Sequence, residues 1–167
     1  MFFWKQKPES DSDDSILNKI SLKELSKIPF FYDMEPVEIQ ALAKILKIRV
    51  FPKNHHVFME GDIQEEMYFI LEGTVRILKK NKRGSNDILA EFGPPHVFGE
   101  LALVSPGRRS ASVYSVTDLV LAELSCNKFN KLVESSPKAA VCIIRKIAET
   151  LSSRLRKINT AYIELCD

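Results

Sequence analysis

The spacing of apolar residues changes along this chain, and each change predicts a different kind of secondary structure. In residues 36–46 apolar positions recur at helical spacing, and five of them are available to a core: Val37, Ile39, Leu42, Ala43 and Leu46. Past residue 46 apolar and polar positions alternate, as at Val75 and Ile77, which predicts short strands. Helical spacing returns near residue 127, and Pro137 suits the first turn of the longest helix. The pattern therefore predicts helices at both ends of the chain and strands between them.

Turn signals divide the central region into many short strands. Glu72-Gly73 and the polar run 82–86 interrupt the alternating pattern, and further strands are expected at about 87–92, 110–117 and 119–124. Short strands at such spacing are typical of an antiparallel barrel or jelly roll. We therefore predict a mainly β fold with flanking helices: an antiparallel β-roll, or double-stranded jelly roll, with N-terminal helices before it and a long C-terminal helix after it.

A single domain is expected after a short N-terminal segment. Residues 5–14 are polar and lack periodicity, so residues 1–14 are predicted to form a flexible segment. The domain is predicted over 15–167, because a chain of 167 residues suits one domain. Its parts are listed in chain order: helices in 15–46, the β-roll in 47–125 and C-terminal helices in 126–165.

The long C-terminal helix carries a second pattern in addition to its helical spacing. Seven apolar residues alternate at steps of four and three, and we call them the heptad seam: Ile144, Ala148, Leu151, Leu155, Ile158, Tyr162 and Leu165. Two interpretations fit this pattern. The heptad seam is either the contact between two copies of the chain or the face that packs against the chain's own β-roll.

Composition and charge argue against several classes of protein. The formal net charge is 24 − 22 = +2, too small to indicate a nucleic-acid-binding protein by itself. No apolar run approaches the roughly 18 residues that cross a bilayer, and Lys5 follows the apolar start at once, unlike a secretion signal. The three cysteines, Cys126, Cys142 and Cys166, have no paired spacing, which favours reduced thiols in the cytoplasm.

The sequence shows no pattern typical of an enzyme or of a metal centre. Its three histidines are His55, His56 and His96, and they lack carboxylates at the spacing of a metal site on a β-roll. No Ser/His/Asp or Cys/His order indicates a catalytic group either. We therefore expect a non-enzymatic protein without a metal or a cofactor.

Residues 98–113, which read FGELALVSPGRRSASV, carry the most specific pattern in the chain. They resemble the phosphate-binding cassette of the cyclic nucleotide-binding domain family, and four of them fall at the family's spacing without insertion or deletion: Gly99, Glu100, Arg109 and Ala111. The stretch 57–75 and the order of helices, β-roll and long helix resemble the same family over roughly residues 25–165. The resemblance implies a β-roll whose cassette (residues 98–113) contains a short helix and binds a 3′,5′-cyclic nucleotide.

The side chains of the cassette suit the chemical groups of such a ligand. Arg109 offers a planar fork of N–H donors to the phosphate anion, and Glu100 is an acceptor for the ribose 2′-OH. The resemblance implies these two roles, and it adds three backbone amides to the phosphate cradle: those of Gly99, Leu101 and Ala111. The candidate ligand-binding residues of the cassette are Phe98, Gly99, Glu100, Leu101, Ala102, Arg109, Ser110 and Ala111.

The choice of nucleotide depends on Ser110 and on the last helix. In the family a Ser after the arginine accompanies cGMP in eukaryotic members and cAMP in bacterial catabolite regulators. The long heptad helix makes this chain resemble the bacterial type, so we expect cAMP, with cGMP as the alternative. Polar residues beside the heptad seam are expected to reach the base, namely Arg156, Asn159 and Thr160, of which Asn159 and Thr160 are candidate site residues.

The predicted function is that of a receptor that relays ligand binding. Bacterial members of the family often carry a helix-turn-helix domain after the long helix, and no such effector is recognisable before Asp167. We therefore expect a cytoplasmic homodimer that binds no nucleic acid and acts on a separate partner through the helix at 138–165. The alternatives are a cGMP receptor and a structural scaffold of the same fold that has lost its ligand.

Overall fold

Two antiparallel sheets of four strands form the centre of the computed structural model, which describes residues 25–26, 28–105 and 107–164. Sheet A has the strand order β1-β8-β3-β6, and sheet B has the order β2-β7-β4-β5. The strands are β1 (Lys47–Phe51), β2 (His56–Phe58), β3 (Glu66–Glu72), β4 (Val75–Lys80), β5 (Asn86–Phe92), β6 (Val97–Phe98), β7 (Ser112–Ser115) and β8 (Leu119–Ser125). The predicted antiparallel jelly roll is thereby confirmed.

Helices lie before, within and after the strands. In chain order they are a 3₁₀ helix (Pro29–Phe31), α1 (Pro36–Ala43), α2 (Leu101–Val104), α3 (Cys126–Ser135) and α4 (Pro137–Glu164). Proline occupies the first position of both α1 and α4. A residue at this position donates no hydrogen bond within the helix, so the missing N–H of proline costs nothing there. Within the described ranges, no helix is both long and apolar enough to cross a membrane. The segment expected at 1–14 and the helical start expected at residue 15 lie outside the described residues.

The space between the two sheets is filled by alternate residues of the strands. Seven buried side chains form this interior cluster: Tyr68, Ile70, Val75, Phe98, Val113, Leu119 and Leu121. Strand β3 is buried on both faces, because Met67 and Phe69 belong to a second core that the helices cover. This double burial explains why β3 reads as an unbroken apolar run rather than as a simple alternation.

The second core lies between sheet A and the helices. Phe69 of β3 contacts Phe30 and Phe31 of the 3₁₀ helix, with ring centroids 5.2 Å and 4.9 Å away. Ile143 and Ile147 of α4 are buried in the same cluster. The helices before the roll and the long helix after it thus share one packed core, so a shift of α4 also repacks the N-terminal helices.

The heptad seam is not the face by which α4 packs on the β-roll. Four other residues of α4 are buried: Ala139, Ala140, Ile143 and Ile147. Leu151 is the partly buried member of the heptad seam, whereas Leu155 is 57% exposed and Tyr162 is 68% exposed. Leu165 lies outside the described residues. The exposed residues contradict packing of the whole heptad seam on the chain's own roll, and its contact with a second copy stays a prediction.

Two local features differ from the sequence pattern. The pattern makes Val37 available to the core, yet this side chain is 64% exposed because Ile39 and Leu42 supply the buried face of α1. The two-residue strand β6 has no periodic signal and pairs with β3 at Tyr68 and Phe69. This short strand matters for the site, because it brings the start of the cassette against β3.

Candidate functional site

The cassette begins at the end of β6, where the backbone enters a conformation that favours glycine. Gly99 has a φ of +72°, and a Cβ at this position would lie 2.8 Å from Nη1 of Arg109 and 3.0 Å from the carbonyl oxygen of Glu66. The backbone angle and the close approach both exclude a side chain here. The main chain of the cassette therefore lies directly against the Arg109 guanidinium.

Arg109 is a buried cation whose Nε has no hydrogen-bond acceptor among the described residues. Its side chain is 3% exposed; Nη1 donates to the carbonyl oxygen of Glu66 at 2.7 Å, and Nη2 donates to Oε2 of Glu66 at 3.0 Å. The guanidinium carbon lies 4.0 Å from the centre of the Phe58 ring, which limits its orientation. Nε is buried and has no hydrogen-bond partner among the described residues. Because an unsatisfied buried donor is costly, this position suits an additional acceptor.

The carboxylate that faces Arg109 is poorly solvated. Burial raises the pKa of the Glu66 carboxyl, the carboxylate of Glu123 raises it further, and Arg109 opposes both effects. The net direction is upward, so the salt bridge does not fully offset the burial of Glu66.

Glu100 is the second buried charge of the cassette, and its partner comes from the long helix. Glu100 is 3% exposed, and its Oε1 accepts a hydrogen bond from Nη1 of Arg154 on α4. Nη2 of Arg154 donates to the carbonyl oxygen of Val97 at 3.1 Å, and its guanidinium carbon lies 5.6 Å from the centre of the Phe92 ring. The ion pair uses one carboxylate oxygen of Glu100, so Oε2 is left for another donor. Helix α4 is therefore tied to the cassette through Glu100.

Sequence reasoning missed Arg154, although the helix pattern contains the signal. Steps of four and three from the buried Ile147 lead to Arg154, so Arg154 continues the stripe of α4 that faces the roll. An arginine at the end of a core-facing stripe predicts a buried anionic partner. For Glu66 and Phe58 the sequence holds no comparable signal, because they reach Arg109 only through the pairing of distant strands.

The structure brings the remaining cassette residues to the same end of the roll. Phe98 is buried in the interior cluster, and Ala102 is buried within α2. Leu101 and Ala111 are half-buried, whereas Ser110 is exposed. The contacts of these residues with a ligand stay predictions.

The site residues expected on α4 lie further along the helix than the residue that contacts the cassette. Asn159 and Thr160 are exposed, and Oγ1 of Thr160 donates to the carbonyl oxygen of Arg156 within the helix at 3.1 Å. At about 1.5 Å per residue, Asn159 lies roughly 7.5 Å along the axis from Arg154. Contact of Asn159 and Thr160 with a base stays a prediction, while Arg154 is in place beside the cassette.

The far end of the cassette is held against the turn between β2 and β3. The cassette arm (residues 107–112) and the β2–β3 turn (residues 59–64) exchange main-chain hydrogen bonds: the Gly61 N–H donates to the Arg109 carbonyl oxygen at 2.9 Å, and the Arg109 N–H donates to the Asp62 carbonyl oxygen at 2.8 Å. The position of Arg109 is thus set by its main chain as well as by its side-chain contacts.

The arrangement suits a small anion that also carries a hydroxyl donor. Among the described residues, the buried Nε of Arg109 has no acceptor, and the buried Glu100 carboxylate accepts a hydrogen bond at Oε1 but not at Oε2. Across the described ranges, no group of three or more His, Cys, Asp or Glu residues is placed to hold a metal ion. The site therefore offers a buried cation and a buried carboxylate.

The chain matches the model of a known protein family. Residues 48–136, which are more than half of the chain, match the family model of the cyclic nucleotide-binding domain. The matched range runs from the second residue of β1 to the residue that follows α3, and it contains the whole cassette.

Curated proteins with similar sequences include bacterial regulators and animal channels. A CRP-like cAMP-activated global transcriptional regulator of Mycobacterium tuberculosis is 30% identical over 141 residues, which are 84% of this chain and 61% of that protein. The potassium/sodium hyperpolarization-activated cyclic nucleotide-gated channel 2 of Mus musculus is 33% identical over 147 residues, which are 87% of this chain and 16% of the channel. The chain thus spans about three fifths of the bacterial regulator it matches and a small part of the channel.

Solved structures show the same fold. The catabolite activator protein of Thermus thermophilus superposes with a TM-score of 0.73 at 28% identity, over 82% of this chain and 62% of that chain. The N-terminal domain of a transcriptional regulator from Streptomyces coelicolor gives a TM-score of 0.69 at 28% identity, over 83% of this chain and 96% of that domain.

Proposed function

Because this chain belongs to the cyclic nucleotide-binding domain family, we propose that it is a non-enzymatic receptor for cAMP. The observation that carries the proposal is the pair of buried charges in the cassette. Arg109 has a buried Nε without an acceptor, and Glu100 keeps one carboxylate oxygen free of its ion pair. A cyclic nucleotide supplies a phosphate oxygen for the first group and a 2′-OH for the second.

In this proposal the phosphate of the ligand lies beside Arg109. Its oxygen accepts the hydrogen bond from Nε that no described residue accepts, and the stacked Phe58 ring keeps the guanidinium plane in position. Backbone amides of Gly99, Leu101 and Ala111 add donors, and the hydroxyl of Ser110 adds one more. Gly99 permits this approach because it leaves the space beside the guanidinium empty of a side chain.

In this proposal the ribose lies at Glu100, and the Glu100 carboxylate links the ligand to α4. Oε1 is held by Arg154, and Oε2 accepts the 2′-OH, so the ligand and the long helix share one buried anion. A ligand shifts a conformational equilibrium only by its different affinity for the two states. Ligand binding at Glu100 thereby biases how firmly α4 is held, and α4 with its candidate base contacts Asn159 and Thr160 relays the signal to a separate partner.

The choice of cAMP rests on similarity to bacterial proteins. The Mycobacterium tuberculosis regulator is named as cAMP-activated, and the Thermus thermophilus relative is named as a cyclic AMP receptor protein. An exposed Ser110 hydroxyl next to Arg109 suits cGMP as well, because it can accept from the guanine amine. cGMP is therefore the alternative ligand, and a competition binding experiment with cAMP and cGMP shows which of the two the protein prefers.

We place the receptor in the cytoplasm as a homodimer whose contact is the heptad seam. Its exposed apolar side chains continue into a groove of about 380 Å³ between α3 and α4, lined by Phe129, Val133, Pro137, Ala140, Val141, Ile144 and Arg145. Two parallel helices with apolar residues every 3.5 positions bury such a stripe in a coiled coil. Cys126 and Cys142 are free thiols, in agreement with a reducing compartment.

Isothermal titration calorimetry with cAMP and cGMP tests the receptor. Arg109→Ala and Glu100→Ala are expected to weaken binding, by about tenfold to a hundredfold for Arg109→Ala, the scale of a lost hydrogen bond to a charged group. Arg108→Ala is the matched control, because it removes the same charge from an exposed neighbour whose Nη1 donates to the Gly61 carbonyl oxygen at 2.7 Å. Unchanged affinity in Arg109→Ala would contradict its role.

The scaffold alternative predicts a different set of results. A scaffold binds neither cAMP nor cGMP at millimolar concentration and still forms a dimer in sedimentation experiments. That combination would reject the receptor and leave the surface of α4 as the functional part of the chain.

A further inference from the structure

One basic residue outside the cassette contacts it directly. Nζ of Lys79 on β4 donates to the carbonyl oxygen of Ser110 at 2.6 Å and to Oε1 of Glu60 at 2.6 Å. Ser110 belongs to the cassette arm and Glu60 to the β2–β3 turn. Lys79 therefore joins three parts of the fold at one point: the cassette arm, the β2–β3 turn and sheet B.

The alternation of β4 explains why this lysine reaches the cassette. Val75 and Ile77 face the interior cluster, and Lys79 follows two residues later on the same face of the strand. Its side chain is 44% exposed, so the ammonium lies at the open end of the interior rather than within the core. Lys80 is exposed and its side chain points to the opposite face of the strand.

We propose that Lys79 is a positioning residue that aims the Ala111 N–H at the phosphate of the ligand. In a planar trans peptide, the carbonyl oxygen of Ser110 and the N–H of Ala111 point in opposite directions. By holding the Ser110 oxygen on one side, Lys79 holds the Ala111 N–H towards the other side. The inference rests on the proposed function, in which the Ala111 amide is part of the phosphate cradle.

The partner of Lys79 keeps the lysine in place at neutral pH. The hydrogen bond from Lys79 lowers the pKa of the Glu60 carboxyl, and the hydrogen bond from the Lys80 N–H to Oε2 of Glu60 acts in the same direction. Exposed ion pairs contribute little to the free energy of unfolding. Loss of the Lys79 contacts is therefore expected to change ligand binding much more than folding.

Two lysine-to-methionine variants on the same strand isolate the effect. Lys79→Met and Lys80→Met remove the same charge from neighbouring positions, so long-range electrostatics change almost equally. Lys79→Met is expected to weaken cAMP binding about tenfold in calorimetry, the scale of one hydrogen bond to a charged group, while Lys80→Met changes it less than about twofold. Lys79→Arg, which keeps a cationic donor, is expected to restore most of the affinity.

Nuclear magnetic resonance distinguishes positioning from a general loss of structure. Addition of cAMP is expected to shift the Ala111 amide proton in the wild type, and this shift is expected to shrink in Lys79→Met. The shift of the Leu101 amide, at the other end of the cradle, is expected to remain. The midpoint of thermal unfolding without ligand is expected to stay within about 2 °C of the wild type.

The outcomes separate the two proposals. If the wild type binds cAMP while Lys79→Met binds it equally well, or binds it weakly with an unchanged Ala111 shift, the positioning role is overturned and the receptor stands. If the wild type binds neither cAMP nor cGMP, the proposed function fails, and the role of Lys79 fails with it.

Discussion

Replacing Arg154 by alanine tests how firmly the long helix is tied to the cassette. The substitution removes the partner of the buried Glu100 and the donor to the Val97 carbonyl oxygen. Removing one member of a fully buried ion pair costs about 3–5 kcal/mol. The Arg154 side chain is 37% exposed, so water reaches Glu100 once the guanidinium is gone and the cost is lower. We expect a loss of about 1.5–3 kcal/mol in the free energy of unfolding, the scale of a hydrogen bond to a charged group.

Urea unfolding followed by circular dichroism measures this loss. Arg156→Ala is the matched control, since it removes an exposed arginine two residues further along α4 and is expected to change the free energy by less than about 0.5 kcal/mol. In thermal unfolding the Arg154→Ala loss corresponds to a decrease of roughly 3–12 °C for a domain of this size. Both variants are compared at the same protein concentration, because dimer formation makes stability concentration-dependent.

A double-mutant cycle shows whether the loss comes from the ion pair. The effects of Arg154→Ala and Glu100→Gln are expected to be strongly non-additive, because each removes the same contact. Equal unfolding free energies for Arg154→Ala and Arg156→Ala, or additive effects of the two substitutions at the pair, would refute the view that this contact holds α4 on the cassette.

Three further predictions concern Gly99, the heptad seam and the acid that pairs with Arg109. Gly99→Ala is expected to abolish ligand binding and to lower the free energy of unfolding by at least about 1 kcal/mol. The reason is that the added Cβ would lie 2.8 Å from the Arg109 guanidinium at a residue with positive φ. Calorimetry measures the first effect and urea unfolding the second. Leu155→Asp is expected to yield a monomer in sedimentation velocity while Ser153→Asp, on the opposite face of α4, stays dimeric; a monomeric wild type would contradict the dimer. Burial raises the pKa of Glu66, so the folded state binds this proton more tightly than the unfolded state does. The free energy of unfolding is therefore expected to fall as pH rises from the ordinary glutamate pKa through the raised one. Urea unfolding over that pH range should show a weaker dependence of this free energy on pH in Glu66→Gln.

The patterns that sequence reasoning interpreted correctly are local ones. Alternation such as that of Val75 and Ile77 predicted strands that the structure contains, and Pro137 does begin the long helix. Each of these signals involves residues within a few positions of one another, where backbone geometry fixes which side chains share a face. Val37 is exposed, because helical spacing indicates that a residue can face a core but not which face of the helix the core covers.

The partners of the site's charges were beyond such patterns. Arg109 is paired with Glu66, 43 positions away, and Glu100 with Arg154, 54 positions away. The first pair forms because the cassette arm lies against the β2–β3 turn, which leads into β3, and the second forms because α4 returns over the cassette. Neither proximity is encoded in the spacing along the chain.

The sequence by itself determined the classes of secondary structure, the family resemblance and the two charged residues of the cassette. It did so because these depend on residue type and short spacing, which the chain carries before it folds. Only the tertiary structure decided which groups surround those charges: the buried Nε of Arg109, the ion pair from α4 and the contact from Lys79. These depend on burial and on long-range strand pairing, so the same Glu100 and Arg109 acquire their capacity to bind a ligand only when the sheets and the long helix close around them.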